Sequence, residues 1–399
     1  AMALIDQLPE EARAAHELKL QLLRADTSFV LRGYATPEVR DASQRALELA
    51  RALGDREAEF QANSDLYFHY LFTRHLSPLR EIAEAMLRLA EESGQPRLRL
   101  EAHHHLGVHL QLHTYDLIHA REHYEKGMAV YHSASNREPA MKLGYAIIEA
   151  MLGQVLADLG FLDQGVATTR RAVEFAREQS TAFIFGWTLN WMASVYRTRA
   201  EIEKTLATAD ALESVVNEYG LSDHSGKILI ARGWATARKG QLSQNLEMTK
   251  LGLEMLASAT NTYNRGEAQL AIAEIALFAG DVERGLGALR TIESWGLNGE
   301  DSEAFWVQFF KGHLLSLAHD KMHTQQAEAN FRRCLDHARK WQWKLAELHT
   351  AVALAGLLAG TSRRDEARAI LADIYNWFTE GFDTVALKGA KALLDELSA

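Results

Sequence analysis

After Pro139 the chain contains no proline. The five prolines are Pro9, Pro37, Pro78, Pro96 and Pro139. The roughly 260 residues beyond the last of them are rich in Ala, Leu, Glu and Arg, which predicts helix after helix rather than a turn-rich chain. Strand-like alternation is lacking as well; apolar residues recur at three and four, as in Leu156–Leu159 and Val166–Val173. There is one cysteine, Cys334, so no internal disulfide can form and a reducing, cytoplasmic compartment is expected. Basic residues are in deficit, Lys+Arg 43 against Asp+Glu 53, and the net charge of −10 argues against a direct nucleic-acid face. No apolar run approaches the roughly 18 residues of a membrane span. The longest candidate, Ala351–Gly360, is short and rich in small residues. The N-terminus has no secretory apolar core. Residues 1–9 are expected to be a linker or cloning remnant, with Ala1 standing before Met2.

What is present is a period. Small residues mark the first helix of successive pairs: Gly107, Gly153, Ala193, Gly233, Ala273, Gly312 and Ala355, at spacings of 46, 40, 40, 40, 39 and 43. A second series marks the partner helices: Leu79, Ala120, Gly165, Thr205, Asn245, Gly285, Ala327 and Ala367. Between the two a glycine commonly opens the turn, as Gly160 does. Small residues where two helices touch, with large ones beside them, are the grammar of tetratricopeptide repeats. The period near 40 exceeds the usual 34, and HEAT-type repeats share a similar length. The expected fold is all-α, a right-handed superhelix of tetratricopeptide-like helix-turn-helix repeats. Eight clear pairs are expected. A degenerate pair over Glu10–Gly54 precedes them, the whole run covering residues 10–376, with a capping segment over 377–399. The 46-residue step implies extra turn residues, assigned to Ser133–Arg137.

Four stretches carry a likeness: GYATPEV (Gly33–Val39), RGWATARKGQ (Arg232–Gln241), WFTEGFDT (Trp377–Thr384) and AKALLDEL (Ala390–Leu397). With these the chain resembles the C-terminal tetratricopeptide-repeat region of bacterial predicted signal-transduction ATPases of the STAND type. That family often links its repeats to an adenylate or guanylate cyclase or a winged-helix domain. The resemblance implies a sensor or interaction region, with the ATPase module itself as a possible partner. The family's nucleotide site does not carry over. In GLSDHSGKI (Gly220–Ile228) the first glycine is one residue too far from Gly226, and Ile228 replaces the magnesium-binding hydroxyl. No cofactor is expected.

Glu101–Gly127 holds seven histidines: His103, His104, His105, His109, His113, His119 and His123. Pairs at i and i+4, His105/His109 and His109/His113, have the spacing of a helical zinc pair. They lack the glutamate of H-E-x-x-H, and three ligands on one straight helix drift by roughly 80° across eight residues. His103 falls on a packing position, and the group spreads around the helix. The expectation is therefore structural histidines and no metal, with His105, His109 and His113 the residues to watch. No nucleophile elbow is present, and Cys334 falls on a buried packing position, so no catalytic residues are expected and the chain reads as non-enzymatic.

Function is expected in the concave groove that stacked helix pairs create. Positions three before, one after and four after each marker point inward. From these we take His104, Val108, Gln111, Gln154, Asn190, Ser194, Arg197, Trp234, Ala237, Glu274, Phe309 and His313 as groove residues, with Trp234 as an open aromatic platform. Polar groups around an aromatic suit a protein, peptide or small polar ligand. The rival readings are a structural oligomerisation module and a histidine-based metal-responsive protein.

Overall fold

The structure is a computed structural model; it describes residues 9–221, 224–259, 264–295, 302–318, 320–361 and 363–398. These residues form nineteen α-helices and no strand. In chain order they fall into nine antiparallel pairs. The first four are α1 (Glu10–Arg32) with α2 (Pro37–Leu53), α3 (Arg56–Phe72) with α4 (Leu79–Ser93), α5 (Pro96–His109) with α6 (Leu117–Ser133), and α7 (Pro139–Asp158) with α8 (Leu162–Gln179). Next come α9 (Ala182–Thr198) with α10 (Ile202–Tyr219), α11 (Ser225–Leu242) with α12 (Leu246–Ala259), and α13 (Arg265–Ala279) with α14 (Val282–Glu293). The last two pairs are α15 (Ser302–Ser316) with α16 (Lys321–Lys340) and α17 (Lys344–Ala359) with α18 (Arg364–Tyr375), after which comes a single α19 (Val385–Ser398). The stretch read as a degenerate repeat forms the α1–α2 pair.

Local chemistry sets the boundaries. Pro37 and Pro96 open their helices, where a missing N–H costs nothing. Asp55, Asp281 and Asp320 cap theirs by accepting from a backbone N–H three residues on. Gly54, Gly94, Gly220 and Gly280 end theirs in the left-handed conformation.

The small markers let helices of a pair meet. A Cβ on Gly107 would collide with the Tyr124 ring, and one on Gly153 would meet Thr169 Oγ1 and the Gly165 carbonyl. Gly233 and Gly252 face each other's backbone in the same way. The large residues then fill what remains. Ile230, Trp234, Leu256 and Ile275 form one core cluster, Phe60, Met86, Leu89 and Leu98 another. Cys334 is buried as expected, and burial pushes its thiol up to about 12.

The chain divides into two compact units, where the period alone drew one undivided run over 10–376. One comprises residues 1–113 and 122–145, the other 114–121 and 146–399. Helix α7 corrects one expectation. By length and composition alone it could cross a membrane, an 18-residue window of it having a mean hydropathy of 1.3, because its polar residues are spread thinly. Of that window 72% is buried, as in the core helix of a folded domain. Gly220 closes α10 and Ser225 opens α11, so the degenerate phosphate-loop stretch is an inter-repeat connection; its residues 222 and 223 lie outside the described residues. Residues 1–8 of the expected N-terminal linker and residue 399 of the capping segment lie outside them too.

Candidate functional site

Within the second unit, the first helices of successive pairs bring polar side chains together. Arg197, in the last turn of α9, donates to Glu267 Oε1 at 2.5 Å. Lys227, in the first turn of α11, donates to Glu267 Oε2 at 2.5 Å. Glu267 itself lies in the first turn of α13, where the helix dipole favours a carboxylate. Three consecutive pairs are thus tied at one carboxyl. Burial pushes that carboxyl up, but the Lys227 and Arg197 cations outweigh it and hold it down at about 2.

On α7, Gln154 donates through Nε2 to Asp158 Oδ1 at 2.9 Å and to Thr198 Oγ1 at 3.2 Å. Asp158 is 9% exposed. Burial pushes its carboxyl up to about 7, and the Gln154 amide and the Arg197 charge offset this only in part. Glu274 on α13 is also shifted up by burial, against the pull of Trp234, Arg197 and Arg238.

An aromatic group adjoins these residues. Tyr115 sits in a left-handed turn, φ 53°, within the 114–121 segment of the second unit. Its ring lies 4.5 Å from that of Trp343, which in turn meets Trp306 at 5.3 Å and Phe305 at 4.7 Å. Burial raises the Tyr115 hydroxyl well above its ordinary range, and the charges of Asp158 and Glu267 push the same way. Arg197 and a hydrogen bond from Trp306 oppose them.

The expected groove residues divide. Gln154 and Arg197 belong to this assembly. Asn190 is buried and Ser194 half-buried on the same α9 face, and Glu274 is half-buried on α13. Phe309 and His313 pack together at 4.7 Å, and His313 also meets Phe331 at 4.9 Å; burial lowers the imidazole to about 4. Trp234 is corrected. It is 2% exposed and lies inside the apolar cluster with Ile230, Leu256 and Ile275, so it is a core residue and not an open platform. Its ring nitrogen makes no well-formed hydrogen bond, although Glu274 is within electrostatic reach. Ala237 is corrected with it, since its backbone and Cβ abut Gly252 of α12.

In the first unit, His104 is half-buried, 6.4 Å from Phe68, and Val108 is buried. Gln111 is corrected. A π-helical turn over Leu110–Thr114 inserts one residue and rotates the positions after it. Gln111 faces α6, as the residue four after the marker also does where Ala237 meets Gly252 of α12, and it accepts from the Tyr124 hydroxyl at 2.8 Å. His105, one of the histidines at zinc-pair spacing, is a buried packing residue. Its ring nitrogens lie 3.1 Å from Ser64 Oγ and 2.8 Å from the Glu101 carbonyl, and Tyr67 donates to its backbone oxygen. His103 meets His123 at 3.0 Å. His109 and His113 have ring centroids 5.7 Å apart. Among the described residues no group of three His, Cys, Asp or Glu side chains converges as a metal would require.

Sequence reasoning misses Asp158, Lys227, Glu267, Tyr115 and Trp343. Lys227 and Glu267 each stand six residues before their markers, one turn beyond the earliest position sampled. Extending the inward face to the helix ends finds both. Tyr115 carries no signal, because a turn residue has no helical register.

No family model matches the sequence, and no curated protein matches it. Solved structures do. A Rap protein complexed with competence and sporulation factor superposes with a TM-score of 0.61 at 13% identity, covering 96% of this chain and 99% of that one. This is an all-α helical repeat of the tetratricopeptide kind. Yeast Tom70 matches at a TM-score of 0.46 and 14% identity over 100% of this chain and 89% of its own. A STAND protein with a tetratricopeptide repeat sensor from Pyrococcus horikoshii matches at 0.41 and 12%, over 92% of this chain and 50% of that one.

Proposed function

We propose that this repeat chain is a non-enzymatic binding module whose second unit holds a peptide or small polar ligand against the inner faces of α7, α9, α11 and α13. One observation carries the reading: four successive repeats each send polar or charged side chains to the same interior, around Arg197, Glu267 and Lys227. A stack held together by packing alone has no need to draw half-buried ion pairs from successive repeats to one place, since such pairs are weak sources of stability. The solved Rap protein of like fold is described as complexed with a competence and sporulation factor, consistent with a repeat of this shape holding a partner. By the sequence resemblance, the module is the sensor or interaction region of a larger bacterial signalling ATPase, in the cytoplasm. Binding would control the ATPase only through unequal affinity for its two states.

The test is retention. The full chain, incubated with a pool of random octapeptides and a metabolite extract and then desalted, retains a ligand detectable by mass spectrometry. Arg197→Gln lowers that retention by about tenfold, the scale of one lost charge contact in a half-buried site. Equal retention by variant and parent overturns the placement, and no retained molecule overturns the reading. For the sensor role, flanking coding sequence without a nucleotide-binding motif is the contrary result.

A further inference from the structure

The hydrogen-bonding balance of this interior is uneven. Its cations are satisfied, since Arg197 and Lys227 both end on Glu267. Its acceptors are not. Gln154 is 6% exposed, and its Oε1 is buried with no donor among the described residues. The amide cannot be turned to cure this, because Nε2 already serves the Asp158 carboxyl and the Thr198 hydroxyl. Asp158, nearly as buried, receives one hydrogen bond and no ion pair among the described residues. Buried carboxylates are ordinarily paired, and each buried acceptor without a donor calls for an explanation.

We propose that Asp158 and Gln154 form the subsite for a ligand's ammonium or guanidinium group. The inference rests on the binding role argued above and specifies its ligand. Such a group brings several N–H donors at once, enough for both Asp158 oxygens and the Gln154 carbonyl. It also supplies the charge partner that Asp158 lacks. The charged and titratable groups facing Asp158 are Arg197 of α9 and Tyr115 of the 114–121 segment, with Glu267 beside them. Arg197 is already committed to Glu267, so the incoming cation meets a carboxyl that is free to ionise. With the carboxyl near 7 in the unliganded protein, cation binding releases protons at neutral pH.

The experiment uses the full chain and two pools of random octapeptides with blocked N-termini, one containing Lys and Arg and one in which norleucine replaces them. The expected result is retention from the first pool, enriched in basic residues, and at least about tenfold less with Asp158→Asn. That variant keeps the oxygen that accepts from Gln154. Calorimetry of a retained peptide in phosphate and in Tris at pH 7 should show proton release. Equal retention from both pools, enrichment in acidic residues, or proton uptake overturns the proposal while leaving a binding module in place. No retention from either pool overturns both.

Discussion

At the scale of single residues, buried titratable groups set how stability responds to pH. Asp65 on α3 is 5% exposed; Gln61 donates to Oδ1 at 3.2 Å, and Oδ2 has no partner among the described residues. Burial, reinforced by the Asp26 charge, pushes its carboxyl up to about 8. Between the ordinary carboxylate range and that value, the folded state binds a proton that the unfolded chain has lost. Stability from this group therefore falls as pH rises from about 4 to 8. Asp65→Asn keeps the Gln61 contact and removes the burden. It should raise unfolding free energy by about 1–3 kcal/mol at pH 8, shrinking to near zero at pH 4, as read by urea denaturation at both pH values. The histidines of α5 act in the opposite sense. Burial lowers His104 to about 3 and His105 to about 4, so the unfolded chain takes up protons that the folded one refuses. Their contribution is present above pH 6.5 and lost as pH falls towards 4. A sharper loss below pH 6 in the parent than in a His105→Gln variant would show it. None of this is legible in the sequence, where Asp65 is one more acid on a helix. Exposure depends on which helices pack over a position, not on the residue's neighbours in the chain.

At the scale of helices, the sequence is far more explicit. The marker series locates the pairs because a close helix crossing tolerates only small residues, a constraint that repeats with the fold. The test is to separate glycines that touch from those that do not. A Cβ on Gly252 would overlap both Ala237 N and the Gly233 carbonyl. Gly252→Ala should cost about 1–3 kcal/mol by forcing α11 and α12 apart. Gly356 lies inside α17 with nothing among the described residues within 4 Å of its Cβ position. Gly356→Ala should instead stabilise by about 0.5–1 kcal/mol, the backbone entropy that glycine forfeits in a helix. If both changes shift the thermal midpoint in the same direction, the contact reading of the markers is wrong. The π-helical turn shows where this legibility stops. The long 46-residue step announces extra residues, and turns such as Ser133–Arg137 are the usual place for insertions. The structure does leave 134–138 between α6 and α7, but it also lodges an extra residue inside Leu110–Thr114. A one-residue bulge within a helix changes no composition, so nothing in the sequence points to it.

At the scale of the whole molecule, repeats touch only their neighbours unless something ties distant ones together. The WFTEGFDT stretch does so within the second unit. Glu380 Oε1 accepts from the backbone N–H of Asp163 at 2.9 Å and of Gln164 at 3.1 Å, serving the open N-terminus of α8 as a capping carboxylate would. Asp163 Oδ2 in return accepts from Gly381 N at 3.0 Å. Arg199, only 5% exposed, donates to Asp163, Glu201 and Asp383. Gly160, at φ 98°, comes so close to this segment that a side chain there would collide with the Trp377 ring and crowd that of Phe378. These residues are more than 180 positions apart, so the end of the chain is clasped to α8 and α9. Helical periodicity cannot reveal that, although the stretch is the most distinctive of the four behind the family likeness. The contacts suit a tie that opens locally before the molecule unfolds. Glu380→Ala removes the cap and leaves every core side chain in place. Its global stability should fall by only about 0.5–2 kcal/mol, the usual range for a lost helix cap. Hydrogen exchange at the Asp163, Gln164 and Gly381 amides should accelerate markedly, while amides inside α3 and α4 of the other unit keep their protection. Arg199→Ala should loosen the same three amides. If protection there is unchanged in both variants, or if α3 and α4 lose theirs equally, the clasp is no independent element and the stack opens as one.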